Sequence, residues 1–146
     1  MSIPLFSEES VSLKLRESFE ARTAVLLAGV LIRFPPRKIA AALHRLNKSR
    51  PTASIAQGLR AREAVCTVSL SCRGPQGCLR RSVATVILCR LSGRSATWCT
   101  GFAIEPFRAH AWVEIDAQQV GEQAEIADYI TVLSSTPYTS PEGNND

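Results

Sequence analysis

The chain has no apolar run long enough to cross a membrane. The longest, "AVLLAGVLI" from Ala24 to Ile32, is bracketed by Arg22 and Arg33 and covers about half of the roughly 20 residues that a span needs; a buried helix is expected there. No basic segment precedes a short apolar one near the N-terminus, where "SEES" is acidic, which speaks against a secretory signal and makes the cytoplasm the expected compartment. No CxxC pair occurs among the five cysteines at 66, 72, 78, 89 and 99, so neither a disulfide framework nor a zinc site on paired knuckles is expected. Cys66, Cys72 and Cys78 recur every sixth residue, without the tight turn that aims two ligands at one ion, and no metal is expected on them. Internal repeats are also missing.

Acidic residues are scarce early in the chain. Residues 1–100 hold sixteen Lys or Arg and five Asp or Glu, a net +11, whereas residues 101–146 hold one Arg and eight acids, a net −7. The two parts should attract each other. The arginines are scattered among apolar helix positions without interleaved aromatics, as on a solvated helix face, so no nucleic-acid partner is expected. Apolar residues at 45% and charged ones at 21% over 146 positions suit one soluble domain and exclude a disordered or collagen-like chain. That domain is expected over residues 1–134, with the Pro-, Ser- and Asn-rich "STPYTSPEGNND" of 135–146 as a flexible tail.

Ser7 or Ser10 can cap a first helix with Val11, Leu15, Phe19 and Arg22 on one stripe, continued by the Ala24 run and ended by Pro35 and Pro36. A second helix fits "RKIAAALHRLN" and a third "TASIAQGLRAREAVCTVSL", so residues 1–65 form a helical N-terminal part. His44, beside Arg45 and Lys48, is expected on a solvated face. After Gly93 the pattern changes. "SATWCTGFAI" and "HAWVEID" read as strands, "AQQVGE" as a third strand after a turn near Asp116 and Ala117, and "EIADYITVL" fits a short helix or a strand. Helices first and a small antiparallel sheet last make an α+β fold.

Between these halves lies "RGPQGCLRRSVATVILCRL". Gly74, Pro75 and Gly77 break any element before Cys78, and Leu79, Val83, Val86, Ile87 and Arg90 follow at helical spacing. Cys78 therefore opens a helix, with Gly93 as its natural C′ residue. A helix N-terminus carries roughly half a positive charge and stabilises a thiolate, yet cysteine is also a common core hydrophobe; local pattern leaves both readings open. His110 starts an alternating strand, where a lone histidine is more often a hydrogen-bonded structural residue than a catalyst. Together a cysteine at a helix start and a histidine on a nearby strand can make a thiolate–imidazolium pair, with a third group needed to orient the ring. Cys89 and Cys99 read as buried, Trp98 and Trp112 as core and wall, and Arg80 and Arg81 as exposed on the first turn of that helix.

The pieces "CLxRS", "WCxG", "PFxAHAWVE" and "VGE" occur in order between Cys66 and Glu122, with a weaker likeness through "DYITVL". In that order and spacing they resemble the leader peptidase family of lasso-peptide biosynthesis, transglutaminase-like cysteine proteases. The resemblance implies a papain/transglutaminase-like fold with a cysteine-protease core over residues 66–134, Cys78 as nucleophile and His110 as base. It also implies an acidic residue about a dozen positions after the histidine, where many members have aspartate and this chain has Glu122. Asp116 competes for that part. A strand from His110, a turn near Asp116 and a return would carry Glu122 back beside the histidine and leave Asp116 about 20 Å away at ~3.3 Å per residue, but a one-residue slip of register would reverse the face.

The expected activity is cleavage of the leader from a lasso-peptide precursor, freeing the core amine for a separate ATP-dependent cyclase, with no cofactor. Backbone N–H groups at the start of the Cys78 helix, together with the Gln76 side chain, would hold the oxyanion. The alternatives are an acyltransferase or transglutaminase using the same triad, and a non-catalytic scaffold that presents the peptide. Residues 1–65 lack the strand-rich, winged pattern of a leader-recognition domain, so a separate PqqD-like leader-recognition protein is an expected partner, with the basic N-terminal helices as its surface. The resemblance further implies a leader threonine two positions before the core.

Overall fold

Residues 12–122 and 128–135 are described in the computed structural model. Within them five helices precede four strands: α1 (Leu15–Leu31), α2 (Pro36–Asn47), α3 (Ile55–Val68), α4 (Leu70–Arg73), α5 (Cys78–Leu91), β1 (Thr97–Ala103), β2 (Arg108–Ile115), β3 (Gln118–Gln119) and β4 (Ile130–Ser134). The expected α+β architecture is present, with helices packed on an antiparallel sheet of order β3-β2-β1-β4.

Helix α5 is the centre of the molecule. Every residue from Arg81 to Cys89 is buried, because α1 and α3 flank it and the sheet lies against it. Its run "SVATVIL" is apolar enough to bury all its faces. Two polar groups inside that run are satisfied: Thr85 Oγ1 donates to the Arg81 carbonyl at 2.7 Å, and Ser82 Oγ accepts from Trp98 Nε1 at 3.0 Å. The second bond ties α5 to β1. The helix ends as expected, with Gly93 at φ 78.

Helix α1 lies against α5 with alanines. Ala21, Ala24 and Ala28 are fully buried, and such small side chains let two backbones approach closely. The apolar run does not make a wholly buried helix, however. Leu26 is 73% and Val30 59% exposed, beside Phe19 and Leu15 on the outer side, since the only described neighbours of α1 lie on its alanine side. The helix begins at Leu15, with Lys14 at the N-cap and no side-chain cap; Ser7, Ser10 and Val11 lie outside the described residues.

Helix α3 starts at Ile55, later than its pattern suggests, because Ser54 and Gln57 close a capping box with bonds of 2.8 and 3.1 Å. Thr52 is left to bridge to Ser95. His44 is exposed as expected, and its Nδ1 lies 2.9 Å from the Ser135 carbonyl oxygen, which it meets as an N–H donor. Ser135 itself is 3% exposed: its N–H donates to the Trp98 carbonyl and its Oγ accepts from the Trp98 N–H, both at 2.8 Å. Burial of this serine moves the edge of the packed structure one residue into the stretch with tail composition; residues 136–146 lie outside the described ones. Of the segment that fitted either helix or strand, Ile130 to Leu133 fall in β4, antiparallel to β1, and residues 125–127 lie outside the described ones.

Candidate active site

The turn before α5 sets the position of Cys78. Gly77 is the N-cap, with no side-chain cap, and a Cβ on it would run into the carbonyl oxygen of Ser71. Only glycine lets α4 pack so closely against the residue before the cysteine. The Gly77 N–H reaches the Gly74 carbonyl at 3.0 Å, and the Arg81 N–H closes the first helical turn onto the Gly77 carbonyl at 2.8 Å. The N–H groups of the first residues of α5 have no intrahelical acceptor, so the partial positive charge of the helix end falls at Cys78.

The expectation that Arg80 and Arg81 both face water is corrected at Arg81. It is 8% exposed, and its Nη1 donates to the Cys72 carbonyl at 2.9 Å and lies 3.5 Å from that of Gly74. The turn wraps over it because those carbonyls need donors that α4, only one turn long, cannot supply. Arg80 is half-buried, with Nη1 on Ser71 Oγ at 3.0 Å.

His110 comes from β2, where it pairs with Gly101 of β1. Alternation puts His110, Trp112 and Glu114 on one face and Ala111, Val113 and Ile115 on the other, against the helical core. Trp112 stacks on the imidazole, with centroids 6.3 Å apart and planes at 15°, and Tyr129 leans on both rings at 5.8 and 6.1 Å. The imidazole is thereby held between aromatic surfaces.

Glu122 arrives by a route that register alone would not supply. Glu114 pairs with Gln119 and Ile115 with Gln118 across a turn whose central residues, Asp116 and Ala117, have φ of 51° and 61°. Positive φ at both positions is the two-residue hairpin turn whose twist matches the strands. Continued in that register, Glu122 would face Ala111 and share its side of the sheet, away from His110. The strand instead stops: Val120 N–H still reaches the Val113 carbonyl at 2.9 Å, but Gly121 sits at φ 70. That left-handed residue swings the chain, and Glu122 Oε2 comes to 3.1 Å from His110 Nε2. A side chain at 121 would be unfavourable in that conformation, and its Cβ would stand 2.6 Å from Arg62 Cδ.

The early end of β3 has a second effect. Val113 offers its carbonyl to that edge, so Ala111, two residues back, offers its N–H to the same edge, where no strand remains to take it. Cys78 takes it, and its sulfur also bonds the His110 side chain. With Nε2 on Glu122, the ring turns Nδ1 to the sulfur. Cys78, His110 and Glu122 thus form one hydrogen-bonded line, its carboxylate and ring only 10% and 19% exposed. Asp116 stays at the hairpin tip, and Gln76 is exposed on the turn before α5.

The electrostatics of the line favour charge separation. Burial pushes the Cys78 thiol up, but the bond from His110, the Ala111 N–H and the positive charges of His110 and Arg81 outweigh it and hold the thiol below its ordinary 9.0. Burial lowers His110, yet its bonds to Cys78 and Glu122 and the charge of the carboxylate raise it from 6.5 to about 9. Both shifts favour the thiolate–imidazolium form of the pair over the neutral one. Cys89 and Cys99 behave oppositely: burial raises the first to about 11, and burial with the neighbouring Glu114 charge raises the second to about 12. Cys66 and Cys72 are buried and outside any disulfide. Trp98 and Trp112 are buried as expected, at 0% and 1% exposure.

The parts played by three neighbours do not follow from local sequence pattern. Ala111 acts through its backbone, Tyr129 reaches His110 from a distant segment, and the burial of Arg81 depends on where α4 lies. The "RS" of "CLxRS", now Arg81 under the turn and Ser82 on Trp98 Nε1, and the tyrosine of "DYITVL" mark part of this support. Arrangements of this kind, with a helix-start cysteine and a strand histidine backed by a carboxylate, suit nucleophilic acyl chemistry. The sequence profile of the transglutaminase-like superfamily matches residues 21–135, from within α1 to the serine that closes on Trp98. No match is found among curated proteins or among solved structures. The chain belongs to the transglutaminase-like superfamily.

Proposed function

We propose that this chain is a cysteine peptidase that removes the leader from a lasso-peptide precursor and leaves the core amine for a separate ATP-dependent cyclase. The observation that carries the peptidase reading is the Cys78–His110–Glu122 line, with thiol and imidazole shifted in opposite directions. The choice of substrate rests on the resemblance of "CLxRS", "WCxG", "PFxAHAWVE" and "VGE" to the lasso leader peptidases.

In the first half-reaction the Cys78 thiolate attacks the carbonyl carbon at the leader's last residue. Free N–H groups at the head of α5, aided by Gln76, hold the oxyanion. As the C–N bond breaks, the imidazolium of His110 gives its proton to the departing core amine, and the leader remains as a thioester. Water then attacks that thioester while His110 takes a proton from it. The leader acid leaves, the sulfur regains its electron pair, and the resting ion pair returns. Glu122 holds the ring in the tautomer and orientation both steps need.

The expected partners are the precursor, a separate PqqD-like leader-recognition protein and the cyclase. The outer side of α1, where Phe19, Leu26 and Val30 stand exposed, is the surface offered for the recognition protein. Five cysteines without a disulfide suit the reducing cytoplasm. Incubating the chain with precursor and recognition protein and weighing the products tests the reading. A leader ending in a free carboxylate is expected; an amine adduct on the leader would favour acyl transfer. Leader removal at the wild-type rate by Cys78→Ala would reduce the chain to a scaffold.

A further inference from the structure

Arg81 lies one helical turn after Cys78, where residues three apart are neighbours. Its guanidinium is buried, which is costly unless negative charge answers it. The carbonyls of Cys72 and Gly74 satisfy donors without supplying a full charge. Among the described residues no carboxylate pairs with it.

Few charged groups face the Cys78 sulfur. His110, with Glu122 behind it, comes from β2, and Arg81 comes from α5 itself. From the side of the turn, Arg73 points to the Cys66 carbonyl and Arg80 to Ser71 Oγ. The buried guanidinium thus lacks an anion in the protonated state of Cys78 and gains one when the thiol gives its proton to His110.

We propose that Arg81 is the resident counter-charge of the Cys78 sulfur, a positioning residue that favours the thiolate before any substrate binds and clamps the α4–α5 turn to the helix that presents it. Arg81 touches no reacting bond and acts through Cys78. The lowered thiol pKa, to which the Arg81 charge contributes, agrees with this.

The inference rests on Cys78 as nucleophile and on no particular substrate, so its test uses none. The rate of iodoacetamide alkylation at Cys78, read by mass against pH, gives the thiolate midpoint. Arg81→Gln keeps a hydrogen-bond donor without the charge and should raise that midpoint by about one pH unit. Arg81→Lys keeps the charge without the planar fork; its midpoint should stay within about a third of a unit of wild type, while alkylated and free protein melt earlier than their wild-type counterparts. An unmoved midpoint in folded Arg81→Gln overturns the proposal, as does a Lys variant displaced as far as the Gln variant. Should Arg81→Gln fail to fold by circular dichroism, the Lys variant decides alone: an unmoved midpoint supports the proposal, and a shift of about one unit ends it. A wild-type midpoint at or above 9.0 takes down the nucleophile reading as well, whereas a depressed midpoint indifferent to Arg81 takes down this inference only.

Discussion

His110 keeps its proton against burial because Glu122 and the Cys78 sulfur both favour the charged ring. Removing the carboxylate charge should therefore cost more than a hydrogen bond. Glu122→Gln is expected to lower kcat/KM by about 10²-fold or more and to move the basic limb of the pH–rate profile, expected near the His110 value of about 9 in the wild type, toward lower pH. Asp116→Asn, at the hairpin tip, should change neither; equal losses in the two variants would count against the assignment. The same shift predicts how stability varies with pH. A group raised from 6.5 to about 9 on folding contributes fully below 6.5, and its contribution disappears as pH rises through about 9. Thermal melting at the two ends of that window should thus show a larger drop for wild type than for Glu122→Gln.

Among the elements, the β2–β3 hairpin contributes most to the site by stopping short. Its turn at Asp116 and Ala117 was legible in the sequence, because two strand-like runs separated by a short polar break predict a return. The face that Glu122 would occupy was not legible, since strand parity gives the wrong side and only the φ of Gly121 corrects it. Gly121→Ala should destabilise by about 1–2 kcal/mol from the left-handed conformation, with more from the Arg62 side chain, and should lower kcat in the same sense as Glu122→Gln. Denaturant titration and turnover on the same preparation check both; full activity in a destabilised Gly121→Ala protein would break the link between that backbone turn and the carboxylate. The Cys78 helix was legible for a different reason. Gly74, Pro75 and Gly77 are backbone signals that hold wherever the rest of the chain lies. Burial of Arg81 was not, because it depends on α4, whose one turn of "LSCR" has no pattern of its own.

Across the whole molecule, the α+β order and the helix that Cys78 opens could be read from periodicity and its breaks, whereas the distribution of burial could not. Helix α1 has alanines inward and Phe19, Leu26 and Val30 outward, and composition cannot distinguish that arrangement from a helix buried on all sides. Leu26→Gln should accordingly change stability by no more than about 0.5 kcal/mol, while Ala28→Leu, which forces three extra carbons between α1 and α5, should cost about 1–3 kcal/mol. Chemical denaturation of the two variants reverses the intuition that the leucine matters more; a Leu26→Gln loss as large as that of Ala28→Leu would mean that the outer face is covered. The five thiols differ in the same way. Cys66, Cys72, Cys89 and Cys99 are buried, and only Cys78 is half-open. An oxidant arriving from water meets one accessible sulfur, the one whose surroundings favour the thiolate, and peroxide attacks thiolates in preference to thiols. Sulfenylation would silence the molecule at its first hit and leave the packing untouched, so a well-folded yet inert preparation is the signature of lost reductant and not of a failed fold.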